Sequence, residues 1–354
     1  MDSFQDYHGE SSGSGNPKER PKLSLDKSLF SPFVAHSLKV QGRSGFLNES
    51  ACYNPKYNLI IACPGNSTVQ FYDATTFEPC KTRGFLKLKG SVMQISFQPE
   101  IDTYLLGCAS GLIYQYNVSK NELKELKRLK KEVLEITFLD STFYALSLDE
   151  SDKLYVGNVN DGTVVKFDLR CDASYGLHHL SKRKLLFSGL QNGFVRIYRT
   201  NSLPHLKAIG SIKTKGWTMF VQSFHVNGKE YLITANDSSR VKIWHLVKGQ
   251  MRLLKVLQNE EGEFCSLVYL ENYKMLATSC QDHAIKFWRF PSMKLEKTIE
   301  LGEGRVQSLF LIKERNMIGV TNGDERRIDF IQLHHHIQEN SLIMLGMLLP
   351  QKDY

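Results

Sequence analysis

The sequence predicts an all-β fold of seven radially repeated sheets, a seven-bladed β-propeller, and three observations carry that expectation. One pattern recurs along the chain, a short turn of Asn, Asp, Gly or Ser followed by an alternating β-branched and aromatic strand that ends in an aromatic or apolar anchor. Its copies read GNSTVQFYDA, ASGLIYQYNV, NDGTVVKFDL, QNGFVRIYRT, DSSRVKIWHL, QDHAIKFWRF and GDERRIDFIQL. The anchors Tyr72, Tyr116, Phe167, Tyr198, Trp244, Trp288 and Ile331 lie 44, 51, 31, 46, 44 and 43 residues apart, and a blade of four strands occupies roughly 40–45. Ahead of most anchors stand two further apolar segments, so each repeat has strands enough for a blade.

The segment next to the anchor strand reads NLIIAC, YLLGCAS, KLYVGNV, KLLFSGL, YLITAND, KMLATSC and NMIGVTN in the successive repeats. Asn-Gly, Asn-Asp or Gln-Asp pairs often separate it from the anchor strand, and such residues tolerate the positive φ of tight hairpins. Further upstream a period-two strand is visible in SVMQISFQP, MFVQSFHV, FCSLVYL and RVQSLFLI. Two steps depart from the mean. The 51-residue step carries NELKELKRLKKEVLEITF, where Leu123, Leu126 and Leu129 recur every three residues, which predicts a short helix in place of an outer strand. Its bases Lys124, Lys127, Arg128, Lys130 and Lys131 are either a solvated charged face or a contact for an acidic partner. The 31-residue step, holding CDASYGLHHLSKRK, predicts a blade with a missing or shortened outer strand.

Two segments compete to close the ring: AHSLKV near residues 35–40, or SLIMLGMLL at 341–349. The second is preferred, because it would cover an apolar segment. Residues 1–28, with their SSGSG run, are too poor in apolar side chains to order themselves, so the expected division is a disordered tail over 1–28 and a propeller over 29–354.

Of 354 residues, 42% are hydrophobic and 23% charged, the balance of a globular chain rather than a disordered one. The first residues lack a signal-peptide core and no stretch approaches the roughly 20 apolar residues that span a bilayer. The expected location is therefore cytoplasm or nucleus, with neither secretion nor a transmembrane segment. Cys52, Cys63, Cys80, Cys108, Cys171, Cys265 and Cys280 are odd in number and never in C-x-x-C spacing, as for buried reduced thiols. Sequons at Asn48, Asn66, Asn117 and Asn236 have no meaning without export. The net charge of +8 resides outside the tail, which carries −1. A basic body admits an acidic partner, nucleic acid or acidic membrane.

Over nearly all of the chain after residue 28, the repeats resemble those of the WD-repeat family. The signature Trp-Asp pair is nowhere intact: it is degraded to Tyr72-Asp73, Phe167-Asp168, Trp244-His245 and Trp288-Arg289. The Gly-His that usually precedes the first strand is also missing. The resemblance implies radial blades and partner proteins docked on the top face at the entrance to each innermost strand. Matched residue by residue, those positions are Ser91 and Met93, Trp217 and Met219, Glu263 and Cys265, and Arg305 and Gln307. Trp217 is the strongest candidate, since an exposed Trp among polar neighbours has the composition of a binding hot spot. In the third repeat the run Gly157 to Arg170, with Phe167 in place of Trp, resembles the box of cullin-4 ubiquitin-ligase receptors. That resemblance implies an adaptor contact at Arg170, with Asp168 beside it.

Nothing in the chain assembles catalytic chemistry. Gly9-Glu10-Ser11-Ser12-Gly13 matches G-x-S-x-G but lacks the strand before and helix after that the elbow needs. His334, His335 and His336 are adjacent, and neighbours on a strand point to opposite faces, so they do not chelate together. The expected function is a non-catalytic scaffold or subunit of a multiprotein assembly, with no cofactor, no metal and no small-molecule substrate. The alternatives are a cullin-4 type substrate receptor, or a binder of nucleic acid or acidic membrane.

Overall fold

A four-stranded antiparallel sheet buried on both faces cannot stand alone, and the chain answers by repeating it around an axis. The computed structural model describes residues 30–40, 46–65, 67–149, 151–169, 174–237, 240–247, 250–258, 264–280, 283–302 and 304–334. Within the unit Ser31–His335 these form seven blades of four antiparallel strands each. The innermost strands are Phe46–Asn54, Val92–Gln98, Val133–Phe138, Ser174–Leu180, Thr218–Val226, Phe264–Leu270 and Val306–Ile312. Each neighbours the innermost strands of the blades before and after it, and the ring closes between the first and the seventh. A single parallel bridge, Glu49 to Gln94, also links the first two blades. The fold is a seven-bladed β-propeller, as the repeat predicts.

Closure is made by the other candidate segment. Phe33–Lys39 pairs antiparallel with Arg327–Gln332 and is the outermost strand of the seventh blade. Ser37 Oγ donates to Asp329 Oδ1 at 2.5 Å, while Arg327 Nε donates to Asp329 Oδ2 at 3.0 Å. The preferred segment at 341–349 lies outside the described residues, and the position proposed for it is taken. The tail at 1–28 and the sequon Asn66 also lie outside them.

The two irregular repeat lengths disappear once strand pairing sets the register. Tyr116 faces Tyr104 across the second and third strands, and the equivalent pair in the third blade is Gly157 with Tyr144. The third-blade anchor is therefore Gly157 rather than Phe167, which lies on the outermost strand Val164–Asp168 opposite Leu154. The KLYVGNV segment is accordingly a third strand, and Phe143–Leu148 is the second. Both steps become 41 residues, and the fourth blade is complete. The sequence hides this because the anchor volume has moved to the opposite strand: a Cβ on Gly157 would stand 2.2 Å from Tyr144 Cζ.

The predicted helix is an outer strand, Glu122–Arg128. A leucine at every third place suits this strand for two reasons. Both faces of a blade are buried, and a bulge at Leu126, where the partner register slips between Ile113 and Tyr114, resets the alternation. Leu123 consequently packs into the cluster between the first and second blades, and Leu126 and Leu129 into that between the second and third. The same slip occurs in the outer strands of the fourth, fifth and sixth blades. The five bases of the run are all exposed and interleave with Glu122, Glu125 and Glu132, Glu125 pairing with Lys89 at 3.3 Å.

Apolar clusters fill the seams between blades. Fully buried Tyr104, Tyr116, Phe71 and Ile61 stand between the first two, and Phe77, Phe310 and Phe330 between seventh and first. Indole N–H groups at two anchors reach the neighbouring strand, Trp244 Nε1 to Thr234 Oγ1 at 3.0 Å and Trp288 Nε1 to Thr278 Oγ1 at 2.9 Å. The innermost strand of the fourth blade carries two half-buried histidines. His178 Nε2 meets Ser223 Oγ of the fifth blade at 2.7 Å, and His179 Nε2 meets Thr200 Oγ1 at 3.2 Å. Burial lowers both imidazoles to about 4, helped by their mutual proximity at His178 and by Lys184 at His179.

Two outcomes follow from this packing. Gly157→Ala drives a methyl into a fixed ring and is expected to cost about 2–3 kcal/mol in urea unfolding, most of it recovered in the double variant with Tyr144→Leu. For the histidines, a folded value below the unfolded 6.5 means that the unfolded chain binds more protons between the two. Their stabilisation is complete above about pH 6.5 and is lost as pH falls towards 4. Urea midpoints should drop between pH 7 and pH 5, and His178→Gln, which can still bond Ser223, should shrink that drop. An unaltered pH dependence in the variant would contradict the argument.

Candidate protein-interaction face

Where a strand carries one residue more than its partner, the surplus residue leaves the ladder and the strand bends. Six of the innermost strands begin in this way. The register slips across Val92/Gln94, Val133/Glu135, Ser174/Gly176, Thr218/Phe220, Phe264/Ser266 and Val306/Ser308. The skipped residues are Met93, Leu134, Tyr175, Met219, Cys265 and Gln307. Four of these, Met93, Met219, Cys265 and Gln307, are positions that the sequence marked for partner contact. Leu134 and Tyr175 are equivalent and were missed. The alternation Val133-Leu134-Glu135 is the signal that marks the first, whereas Tyr175 sits in a repeat whose register the sequence misassigned.

In four blades the residue before the innermost strand is pinned by a repeated bond. The amide of the residue that follows the second strand donates to its carbonyl: Ala109 to Ser91 at 2.9 Å, Asp149 to Glu132 at 3.0 Å, Asp237 to Trp217 at 3.0 Å and Gly323 to Arg305 at 2.7 Å. In two blades the bond is reciprocated by a carboxylate. Trp217 N–H donates to Asp237 Oδ1 at 3.1 Å, and Arg305 N–H to Asp324 Oδ2 at 2.8 Å. The turn before Trp217 needs Gly216, with φ +92° and its missing Cβ within 2.6 Å of Asp237 Oδ1. Ser91 Oγ is spent on Gly65 O at 2.8 Å, so this position is largely structural.

Trp217 remains 42% exposed and Met219 37%, although their backbone is fixed. The Trp217 ring stacks on Tyr175 of the preceding blade, with centroids 5.9 Å apart and planes 10° from parallel. Exposed Lys215 and Arg240 stand nearby, and both depress the Lys242 ammonium beyond what burial does. Lys242 Nζ donates to Thr214 O. Together these residues offer a rigid aromatic and thioether surface fringed by cations.

Other candidate positions fare differently. Arg305 is exposed; Glu263, Arg170, Cys171, His335 and His336 lie outside the described residues. Asp168 is exposed at the end of an outermost strand. Gly157-Asn158 now occupies the third blade's Trp-Asp position, which moves the ligase-receptor box out of the register on which its resemblance rests. Among the described residues no group of three or more His, Cys, Asp or Glu is placed to hold a metal ion, and no helix is long and apolar enough to cross a membrane.

No protein-family model matches the chain, and no curated protein matches it. Among the solved structures, the β-propeller domain of Cps50 (Swd1) from Myceliophteria thermophila is similar, with a TM-score of 0.73 at 12% identity. The alignment covers 86% of this chain and 100% of that domain. The likeness is one of fold.

Proposed function

We propose that the chain is a non-catalytic scaffold that holds another protein on the face formed by the entrances to its innermost strands, as a subunit of a larger assembly. The observation that carries this reading is Trp217. A large aromatic side chain is left exposed on a backbone held by Gly216 and by two hydrogen bonds to Asp237. An interior role would bury the ring, and the same backbone frame carries an arginine at Arg305, so the frame displays a side chain whose chemistry is free to differ from blade to blade. Tyr175 and Met219 extend the patch. Because the ring is already ordered, a partner that covers it loses little conformational entropy on binding.

The test is purification of the full chain from its own cells, followed by mass spectrometry of stoichiometric partners and a Kd for the main one. Trp217→Ala should weaken that complex at least 30-fold, about 2 kcal/mol, with the thermal midpoint unchanged. A complex indifferent to Trp217→Ala and to Met219→Ala would place the docking face elsewhere.

A further inference from the structure

The seam between the fourth and fifth blades is thinner than five of its counterparts. Its cluster holds six buried apolar residues among those described, where the clusters of those five seams hold nine to thirteen. The deficit opens at the circumference as a groove of about 560 Å³, whose walls include Phe187, Ile197, Ile209, Trp244, Leu246 and Met251. Its cause is local. The outer strand of the fourth blade, His205–Lys213, has Gly210 opposite Ile197, and a Cβ there would meet nothing within 4 Å. The outer strand of the fifth blade, Gln250–Gln258, sets Leu253 opposite Trp244 and Val256 opposite Lys242. Residues directly opposite share a face, so both side chains lie on the groove side, 50% and 42% exposed. Ile209 on the other wall is 44% exposed.

The charged side chains of the groove lining and of its outer-strand rows are basic, and Glu230, the acid of this seam, is spent on Arg183 at 2.7 Å. Lys213 lines it. Arg199 and Lys207, opposite one another, continue the groove-side row from Leu185, and both are exposed. The lining contains no acid, and Asp168 lines the separate cleft on the other side of the fourth blade.

We propose that this side groove binds an acidic, extended segment of a partner protein, about nine residues long, whose large aliphatic side chains fill the gap between the two outer strands. Strands of nine residues form both walls and span roughly 30 Å. The wall edges leave backbone groups open to a further strand. Apolar floor and basic rim match alternating Leu-like and acidic residues. A bilayer fits less well, because the apolar floor at Phe187 and Trp244 is recessed between the two walls and out of reach of a flat surface.

The probe is a fluorescent nine-residue peptide of alternating Glu and Leu, titrated with the full chain by anisotropy. Its Lys/Leu counterpart and phosphatidylcholine–phosphatidylserine vesicles serve as alternatives. The expected result is saturable binding of the acidic peptide, at least tenfold tighter than its counterpart and weaker as salt rises. Gly210→Trp, which fills the groove, and the double variant Arg199→Glu/Lys207→Glu should each reduce affinity at least tenfold. Trp217→Ala should leave it unchanged, which separates this site from the proposed top-face site. No saturable binding, equal binding of the two peptides, or preference for vesicles would overturn the proposal. So would indifference to the Arg199/Lys207 variant, whose exposed positions leave the fold intact.

Discussion

Every blade of this protein has two apolar faces, and each face is stable only when a neighbouring blade covers it. The structure follows from that requirement. A linear stack would leave its two terminal faces wet, so the stack bends into a ring in which the seventh blade covers the first through Phe77, Phe310 and Phe330. Closing the ring needs strand pairing as well as packing. The seventh blade takes its outermost strand from the beginning of the chain and its other three from the end, so the blade forms only when both are in place. Ser37 and Arg327 converging on Asp329 hold this junction.

A ring locked in this way is a rigid frame, and its freedom lies in what the strand entrances and seams display. The bulge at the start of the innermost strands turns one side chain per blade out of the ladder, and the amide from the following hairpin fixes the residue before it. Identical backbone geometry thus presents Ser91, Glu132, Trp217 and Arg305 in successive settings. Chemistry differs while geometry repeats. The fourth and fifth blades depart most from their siblings: they carry the exposed Trp217 and Tyr175 at one end, and a seam thinned by Gly210 at the side. Both departures leave apolar surface accessible, at an entrance that carries Glu132 or Arg305 in other blades and at a seam that five of its counterparts fill, and cations fringe both.

Inter-blade packing also explains the substitutions that disguise the repeat. What a seam conserves is filled volume. A glycine at the Gly157 anchor is tolerated because Tyr144 on the paired strand reaches across into its place. Leu123, Leu126 and Leu129 look helical because an outer strand with two buried faces and one bulge needs an apolar residue about every third place.

The sequence by itself determined the number of blades, most second and third strands, and the entrance positions at Met93, Trp217, Met219, Cys265 and Gln307. Turn chemistry and period-two alternation are local, and a repeated local signal accumulates along a chain. Only the tertiary structure decided which segment closes the ring, where the third blade's anchor lies, and that Tyr175 stands under Trp217. Each of these depends on partners distant in sequence: Phe33–Lys39 pairs with Arg327–Gln332, Tyr144 fills the space of Gly157, and neighbouring blades bring two rings together. Packing conserves volume across strands rather than identity at a position, so no window of sequence contains those answers.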